Sequence, residues 1–296
     1  MISVSGQIFT PKPHRGGWIC LGIGGVLLAI AVLLANIALN APVSGVQFWR
    51  ILGAATAFVL AILFLYRAIA LLLLRFHFTR NGLTIRWGLT LHRIPMDAIR
   101  SVTPAPALPN CTLYGVTMPR WWVCRRENMW LFATGSAADS VMVKTVSAEI
   151  YLSPESAEAF IAAWEKRASF GETQFWHNAI ERRGVLAYPL WFDRVARYLG
   201  VAAILLTLIL AGAVFARYPV LPAIVHLPPN ITGQTTAIIP REHLLWIPYS
   251  GIIIMLLNGF LGIVWYKKDR LATYLLWSLT ILVEIGLWVG FRMVVG

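Results

Sequence analysis

The sequence has few charged residues for its length. Only 13% of its 296 residues are Asp, Glu, Lys or Arg, whereas soluble domains average about 25%. Hydrophobic residues make up 58% of the chain, and the mean hydropathy is +0.69. This composition excludes an ordinary soluble protein and predicts a membrane protein.

Cysteine is also scarce. The chain has Cys20, Cys111 and Cys124, with no Cys-x-x-Cys pair and no Cys/His cluster. A structural zinc site needs four such ligands, and disulfides are rare in a reducing cytoplasm. We therefore expect neither a metal site nor a disulfide framework.

The sequence lacks the short motifs of the common enzyme classes. It contains no Gly-rich phosphate loop, no His-Glu-x-x-His and no nucleophile elbow in a plausible context. We predict a non-enzymatic protein with no catalytic residues and no cofactor.

Long apolar runs are abundant. They cover Gly16–Leu39 and the ranges 48–74, 195–215, 244–266 and 271–289. About 20 apolar residues cross the hydrocarbon core of a bilayer, so each run is long enough or nearly so. The sequence predicts an α-helical polytopic membrane protein with five spans, interrupted by a water-soluble domain after the second.

The basic residues, which give a net charge of +12, are distributed unevenly between the two ends of the spans. Lys and Arg concentrate on the cytoplasmic side of membrane proteins. This rule puts the N-terminus and the soluble domain in the cytoplasm and the C-terminus outside. Because membrane topology already explains the positive net charge, we expect no nucleic-acid partner. The basic ends carry Lys12, Arg15, Arg75, Arg182, Arg183, Arg194, Arg197, Lys267, Lys268 and Arg270, and the opposite ends carry Arg50, Arg217, Arg241 and Arg292.

The soluble domain has the pattern of short strands followed by one helix. Alternating segments predict strands at 76–79, 83–87, 91–94, 99–102, 121–124, 129–133, 141–146 and 150–152. Asn81-Gly82 predicts a hairpin. Ser153 is the expected N-cap of the helix, with Pro154 at its first position. This order describes a barrel like that of pleckstrin-homology (PH) domains with a C-terminal helix.

Residues 78–167 resemble the bacterial PH domain family, on the segments 81–88, 93–102 and 150–160. Members of that family often follow a pair of transmembrane helices, as here. The resemblance implies a bacterial inner-membrane protein and carries over no catalytic residues. Some eukaryotic PH domains bind phosphoinositides around the first hairpin, where this chain has Arg80, Arg86 and Arg93. We expect these arginines to contact a lipid headgroup or a protein partner.

A basic and aromatic cluster lies further along the same domain. It consists of Arg120, Trp121, Trp122, Arg125 and Arg126. One interpretation is contact with anionic lipid, since each basic residue near the surface contributes about 1 kcal/mol. The other is a strand with tryptophans on alternate faces and solvated arginines at its ends. Both interpretations stay open.

Glu284 is the one acidic residue inside a predicted span. Ionisable residues in spans mark ion or proton pathways, or they hold helices together. We expect it nearer the outer end of its span than the middle, with Asn258, Ser250 or Tyr249 as a partner. The absence of a second acid favours the structural role, and Glu284→Gln separates the two.

The C-terminal block resembles an uncharacterised membrane domain whose relatives occur in immunity proteins that protect spore formers from their own killing factor. The predicted divisions are a two-helix hairpin (1–74), the PH-like domain (75–170), an interfacial linker (171–194) and a three-helix domain (195–296). We expect a scaffold or accessory subunit that binds a membrane or cytoplasmic protein or lipid headgroups. The alternatives are a sensor or immunity-type protein with an external ligand, and a transporter that uses Glu284.

Overall fold

The structure is a computed structural model that describes residues 6–12, 15–105, 112–113, 116–117, 129–132, 134, 140–169, 179–182, 188–226 and 238–295. For 112–113, 116–117, 179–182 and 226 it describes the backbone alone.

Five helices in the described part of the chain are long and apolar enough to cross a membrane, which agrees with the five predicted spans. They are α1 (Gly16–Leu39), α2 (Gly45–Leu72), α4 (Arg194–Arg217), α5 (Trp246–Trp265) and α6 (Arg270–Val295), and a shorter helix, α3, covers Ala157–Ala168. The shortest of the five has 20 residues, which at 1.5 Å per residue corresponds to about 30 Å.

Polar side chains fix the starts of three of these helices. The Ser44 hydroxyl accepts a hydrogen bond from the Gln47 amide before α2. Asp193 accepts from the Val195 and Ala196 amides at the start of α4. Asp269 accepts from the Leu271 and Ala272 amides at the start of α6. Each cap satisfies backbone donors that have no partner within the helix.

The chain divides into two compact units. The first, here the sheet unit, comprises Met1–Ala29 and Phe58–Ala187, and the second, the helical unit, comprises Ile30–Ala57 and Tyr188–Gly296. Helices α1 and α2 contribute residues to both.

The larger sheet of the sheet unit has five antiparallel strands in the order β1-β2-β3-β4-β11. The strand β1 precedes α1 and pairs with β2, and β11 follows α3 and pairs with β4. This sheet therefore takes strands from both sides of the range 75–170. Its strands are β1 (Gln7–Phe9), β2 (Arg75–Thr79), β3 (Gly82–Trp87), β4 (Thr90–Pro95) and β11 (Ala179–Arg182).

The second sheet has the order β5-β9-β10-β8, with β8 and β10 parallel. These strands are β5 (Ile99–Pro104), β8 (Met129–Phe132), β9 (Val141–Thr145) and β10 (Glu149–Leu152), and two short pairs are β6 (Thr112–Leu113) with β7 (Val116–Thr117) and β12 (Ile224–His226) with β13 (Ile238–Pro240). Between residues 76 and 152 the strands predicted from alternation are confirmed, except for 121–124, which lies outside the described residues.

The hairpin between β2 and β3 lies at the predicted Asn81-Gly82. Gly82 has a φ of +148°, and a Cβ there would lie 2.1 Å from the Ile94 carbonyl oxygen. Only glycine combines that backbone conformation with so close an approach. The turn therefore fixes the register of β2, β3 and β4.

The core of the sheet unit consists of aromatic and aliphatic side chains. Phe76 and Phe78 alternate along β2 and are fully buried, as are Leu83 and Ile85 on β3. Phe160 of α3 packs edge-on against Phe78, with ring centroids 5.3 Å apart. The helix thus covers the inner face of the sheet through one central ring.

The start of α3 differs from the prediction. Its N-cap is Ser156, whose hydroxyl accepts from the Ala159 amide. Ser153 is instead buried and its hydroxyl contacts the Ser140 hydroxyl at 2.8 Å, while Pro154 forms a bridge with Pro11. Ser153 is therefore a core residue, and the helix is capped three residues later, by Ser156.

In the helical unit, the helix contacts combine polar residues, glycines and aromatic side chains. The buried residues of α6 are Thr273, Trp277, Thr280, Glu284 and Phe291. Trp277 packs against Gly200 of α4 and Gly262 of α5, where a Cβ would lie 2.7 Å and 2.5 Å from its ring. Glycine allows the close approach of helices that such packing needs.

Candidate functional site

The sheet unit contains a groove with a basic wall, with a volume of about 520 Å³. It lies between the β2–β3 turn and the second half of α3. Its lining residues are Gln7, Arg80, Ala159, Ala162, Ala163, Lys166 and Arg167. We call it the basic groove.

The fold brings these residues together from three separate parts of the sequence. Arg80 lies in the turn that follows β2. Gln7 is paired with Phe78 across the β1–β2 ladder, which places it beside that turn. Lys166 and Arg167 occupy the last turn of α3. The alanines of α3 form the floor, because their short side chains leave the space open.

The charge of the basic groove is positive. Three of its lining residues are basic, one is an amide, and none is acidic among the residues described. The Arg167 guanidinium donates to the Ala163 carbonyl at 3.0 Å, so part of its donor capacity stabilises the end of α3. Guanidinium and ammonium groups around a groove of this kind bind carboxylates and phosphates through charge-assisted hydrogen bonds.

The three arginines predicted to form one site lie in two places. Arg80 belongs to the basic groove. Arg86 pairs with Arg75 across β2 and β3, and Arg93 pairs with Thr84 on the same outward face. Because successive residues of a strand point to opposite faces, Arg75, Arg86 and Arg93 form a separate surface, here called the outer arginine face.

The basic groove and the end of α2 lie at opposite ends of the β2–β3 hairpin. The strand β2 begins at Arg75, directly after α2 ends at Leu72, and β3 ends in a turn where Gly88 contacts Tyr66 of α2. Arg80 lies at the other end, about 17 Å along the strand at ~3.4 Å per residue. The outer arginine face includes Arg75 and Arg86 at the helix end.

Five other predicted contact residues are Arg120, Trp121, Trp122, Arg125 and Arg126. They lie outside the described residues.

Sequence reasoning did not identify Gln7, Lys166 or Arg167. Lys166 and Arg167 were visible as a basic pair at the end of a predicted helix, which is an ordinary C-terminal feature. Gln7 lies before two long apolar helices, and no local pattern connects it with the hairpin. Only the pairing of β1 with β2 reveals the site.

The helical unit holds the two predicted intramembrane polar residues, and each has a partner other than the expected one. Glu284 of α6 contacts the Thr207 hydroxyl of α4 at 2.7 Å. The Asn258 amide of α5 donates to the Thr280 hydroxyl of α6 at 3.0 Å. Glu284 lies near the middle of α6 (Arg270–Val295) rather than towards its outer end, and only 2% of it is exposed.

A carboxylate with two phenols lies at the start of α4. Asp193 accepts from Tyr266 at 2.7 Å and also from Tyr274. The hydrogen bond from Tyr274, followed by that from Tyr266, lowers the pKa of Asp193 from 3.8 to about 2. Burial, followed by the bond to Asp193, raises the pKa of Tyr266 from 10.0 to about 12. This cluster links the starts of α4 and α6 to the end of α5.

These features define a protein of long apolar helices that carries a two-sheet domain with a C-terminal helix. Residues 74–168 match the model of the family described as Bacterial PH domain, which confirms the resemblance at 78–167. No curated protein and no solved structure matches the chain significantly. The matched range includes Arg80, Lys166 and Arg167 of the basic groove but excludes Gln7 and Glu284.

Proposed function

We propose that the chain is a non-enzymatic, multi-pass protein of the bacterial inner membrane whose PH domain binds an acidic segment of a partner protein. The two sheets close into a PH-like barrel in the cytoplasm, and the C-terminus lies outside. The match to bacterial PH domains supports a scaffold role in membrane or protein binding. The basic groove is the binding site.

The position of the groove carries this proposal. Arg80 and Gln7 lie at the end of the sheet opposite the turn that contacts α2. Electrostatic attraction to a membrane surface falls off within a Debye length, about 8 Å at physiological ionic strength. A groove about 17 Å along the strand from α2 is better placed for a protein in the cytoplasm than for headgroups of its own bilayer.

The chemistry of the groove supports an extended acidic segment as the occupant. Its volume of about 520 Å³ is in the range of pockets that bind small ligands or a few side chains, about 300–1,000 Å³. Arg80 and Lys166 come from different elements, the hairpin and α3. Two carboxylates along one peptide would contact both elements at once.

The outer arginine face supports a second role, in lipid contact. Arg75 directly follows α2, and Arg86 lies opposite it on β3, with both side chains exposed. Basic residues at that depth attract anionic headgroups with about 1 kcal/mol each. This face would orient the PH domain on the bilayer and leave the basic groove open to the partner.

The experiment measures peptide binding by the full chain in lipid nanodiscs. The ligand is a short fluorescent oligoglutamate peptide, followed by anisotropy. Exposed ion pairs contribute up to about 1 kcal/mol each, and about 1.4 kcal/mol is a factor of ten in affinity. The double variant Arg80→Gln with Lys166→Gln should therefore bind the peptide about tenfold more weakly.

Arg86→Gln is the matched control, because it removes an exposed arginine from the same hairpin without changing the groove. It should bind the peptide as the parent protein does. If the double variant and the control lose affinity equally, binding is non-specific and the proposal is wrong. If phosphatidylglycerol in the nanodisc displaces the peptide from the parent protein, the groove is a headgroup site instead.

A crosslinking experiment in cells tests the partner directly. A photoreactive amino acid at Ala162, on the floor of the groove, should give a discrete crosslinked protein. Lys166→Gln should reduce that product and Arg86→Gln should not. Crosslinks to lipid alone would contradict a protein partner.

A further inference from the structure

We propose that Glu284 is a proton-binding site of the helical unit, which holds its proton at rest and exchanges it with the aqueous phase on the Asp193 side. This site is independent of the basic groove.

The Thr207 hydroxyl has two oxygen neighbours but only one hydrogen. It lies 3.0 Å from the Ala203 carbonyl and 2.7 Å from the Glu284 carboxyl. A hydroxyl has one hydrogen to donate, and the carbonyl can only accept. If Thr207 donates to Ala203, the short contact with Glu284 needs a hydrogen from Glu284. A neutral carboxylic acid supplies that hydrogen, and a carboxylate does not.

A parallel arrangement one layer away supports this account. The Thr280 hydroxyl donates to the Leu276 carbonyl at 3.0 Å and accepts from the Asn258 amide at 3.0 Å. Each buried threonine thus bonds to the carbonyl four residues before it and to a polar side chain of another helix. At Thr280 the donor is an amide, which stays neutral at every physiological pH.

The pair Thr207 and Glu284 differs from the pair Thr280 and Asn258 in one chemical property, the acidity of the partner of the threonine. An amide at position 284 would make the contact with Thr207 equally well, as Asn258 does with Thr280. A carboxyl group adds one property, namely a proton that can leave. Because ionisable residues at this depth are costly, the presence of the acid is explained by that property.

The surroundings of Glu284 leave its second oxygen available. Oε2 has no hydrogen-bond partner among the described residues. Gly251 of α5 faces the carboxyl, and a Cβ there would lie 2.8 Å from Oε1 and 3.0 Å from Oε2. Thr207 faces it from α4, and among the described residues no charged side chain from α4, α5 or α6 interacts with it. The missing side chain of Gly251 lets α5 lie directly against this carboxyl.

The two directions along α6 differ in polarity. Towards the Asp193 side, the buried face carries Thr280, Trp277 and Thr273 over about 16 Å at 1.5 Å per residue. Towards Val295 the next buried residue is Phe291, which packs with Leu210 and Val214. On the Asp193 side, Thr280 and Thr273 lead towards the titratable groups Asp193, Tyr266 and Tyr274, beside an apolar cluster that includes Trp277. In the other direction, the cluster around Phe291 is apolar. The proton therefore exchanges on the Asp193 side.

The test uses the full chain in proteoliposomes and dicyclohexylcarbodiimide, which reacts with un-ionised carboxyl groups in apolar surroundings. The pH is varied on one side at a time, from mildly acidic to mildly alkaline. In the variant Lys268→Cys, labelling of the new cysteine by a thiol reagent added outside the vesicles shows which side carries Asp193. Mass spectrometry should find the adduct on Glu284, and its rate should fall as pH rises on the Asp193 side only.

Two variants keep the test decisive. Glu284→Gln should lose the adduct and the infrared band of the un-ionised carboxyl while keeping its melting temperature, because the amide can still hydrogen-bond to Thr207. Thr207→Ser retains the acceptor and should keep both signals. If the parent protein shows neither the adduct nor the band, Glu284 is ionised. If the rate of adduct formation does not change with pH on either side, Glu284 is an acid with a purely structural role. A rate that follows the opposite side contradicts the route. Each of these results overturns the proposal.

Discussion

The sheet unit buries Phe76, Phe78 and Phe160 completely, whereas the helical unit buries Thr207, Thr280 and Glu284 to within 2% exposure. In the sheet unit, the aromatic rings meet edge-on around Phe160 of α3. In the helical unit, hydroxyl, amide and carboxyl groups meet across three helices. The centre of the sheet unit is therefore aromatic, whereas in the helical unit polar groups are buried beside apolar residues such as Leu210 and Phe291.

The difference follows from the solvent that we propose around each set of elements, which is water for the two sheets and lipid for α4, α5 and α6. In water, burial of a large apolar side chain contributes about 1.5–3 kcal/mol, so a core of phenylalanine drives folding. Among lipid tails, apolar side chains gain little by leaving the solvent, and helices associate through close packing and interhelical hydrogen bonds. Gly200, Gly251 and Gly262 serve the packing, and Thr207 and Asn258 supply the hydrogen bonds.

The largest expected effect of a single substitution is in the sheet unit. Phe160→Ala should lower the free energy of unfolding of that unit by about 3–5 kcal/mol, because it removes a buried ring that touches Phe9, Phe76 and Phe78. Trp164→Ala is the matched control on the same helix, since Trp164 is only partly buried. Denaturant unfolding of the full chain in nanodiscs measures both. Equal losses would show that the core is not centred on Phe160.

The corresponding test in the helical unit concerns the fit between helices. Gly251→Ala should destabilise it by about 1–3 kcal/mol, because the new methyl group meets the Glu284 carboxyl at 2.8 Å. Gly259→Ala is the matched control on α5, because nothing described lies within 4 Å of its added Cβ. Thermal unfolding in nanodiscs compares the two. If both variants are neutral, α5 and α6 are not held closely at Glu284.

The long helices and the first hairpin could be predicted from sequence, because their signals are local. An apolar run identifies a helix without any partner, and Asn81-Gly82 identifies a turn through the backbone freedom of glycine. The start of α3 was harder. Ser153 and Ser156 are both good N-caps, and the choice depends on the burial of Ser153 beside Ser140, which is a tertiary contact.

The candidate sites could be predicted only in part, since each combines residues that are distant in sequence. Arg80 was predicted to be a binding residue and lines the groove, but its neighbours Gln7 and Lys166 come from elements before α1 and after β10. Glu284 was identified by its charge alone. Its partner Thr207 carries no signal within an apolar run, because a threonine there can bond to its own helix.

The smallest expected effect is a dependence of stability on pH. It sharpens the contrast between the units, because it comes from Asp193, an ionised group at one end of the helical unit. The folded state holds the Asp193 pKa at about 2 instead of 3.8. As pH falls from about 4 to about 2, the unfolded chain takes up the proton first, so the stabilisation by Asp193 is present above that window and lost within it.

The same cluster also predicts a loss of stability at alkaline pH, where a rise in pH rather than a fall is destabilising. Because the Tyr266 pKa is about 12 in the folded state instead of 10.0, the unfolded chain loses this proton first as pH rises, and stabilisation is lost between about 10 and 12. Melting temperatures of the full chain in nanodiscs across this range should show both limits, and Tyr266→Phe should reduce the alkaline one, because Tyr274 also bonds to Asp193. Asp193→Asn should weaken the fall in melting temperature at acid pH. Asp269→Asn is the control, because Asp269 caps α6 through backbone amides, and its loss should have only the effect of a lost helix cap. Identical profiles for the two aspartate variants would mean that the tyrosine hydrogen bonds do not stabilise the helical unit.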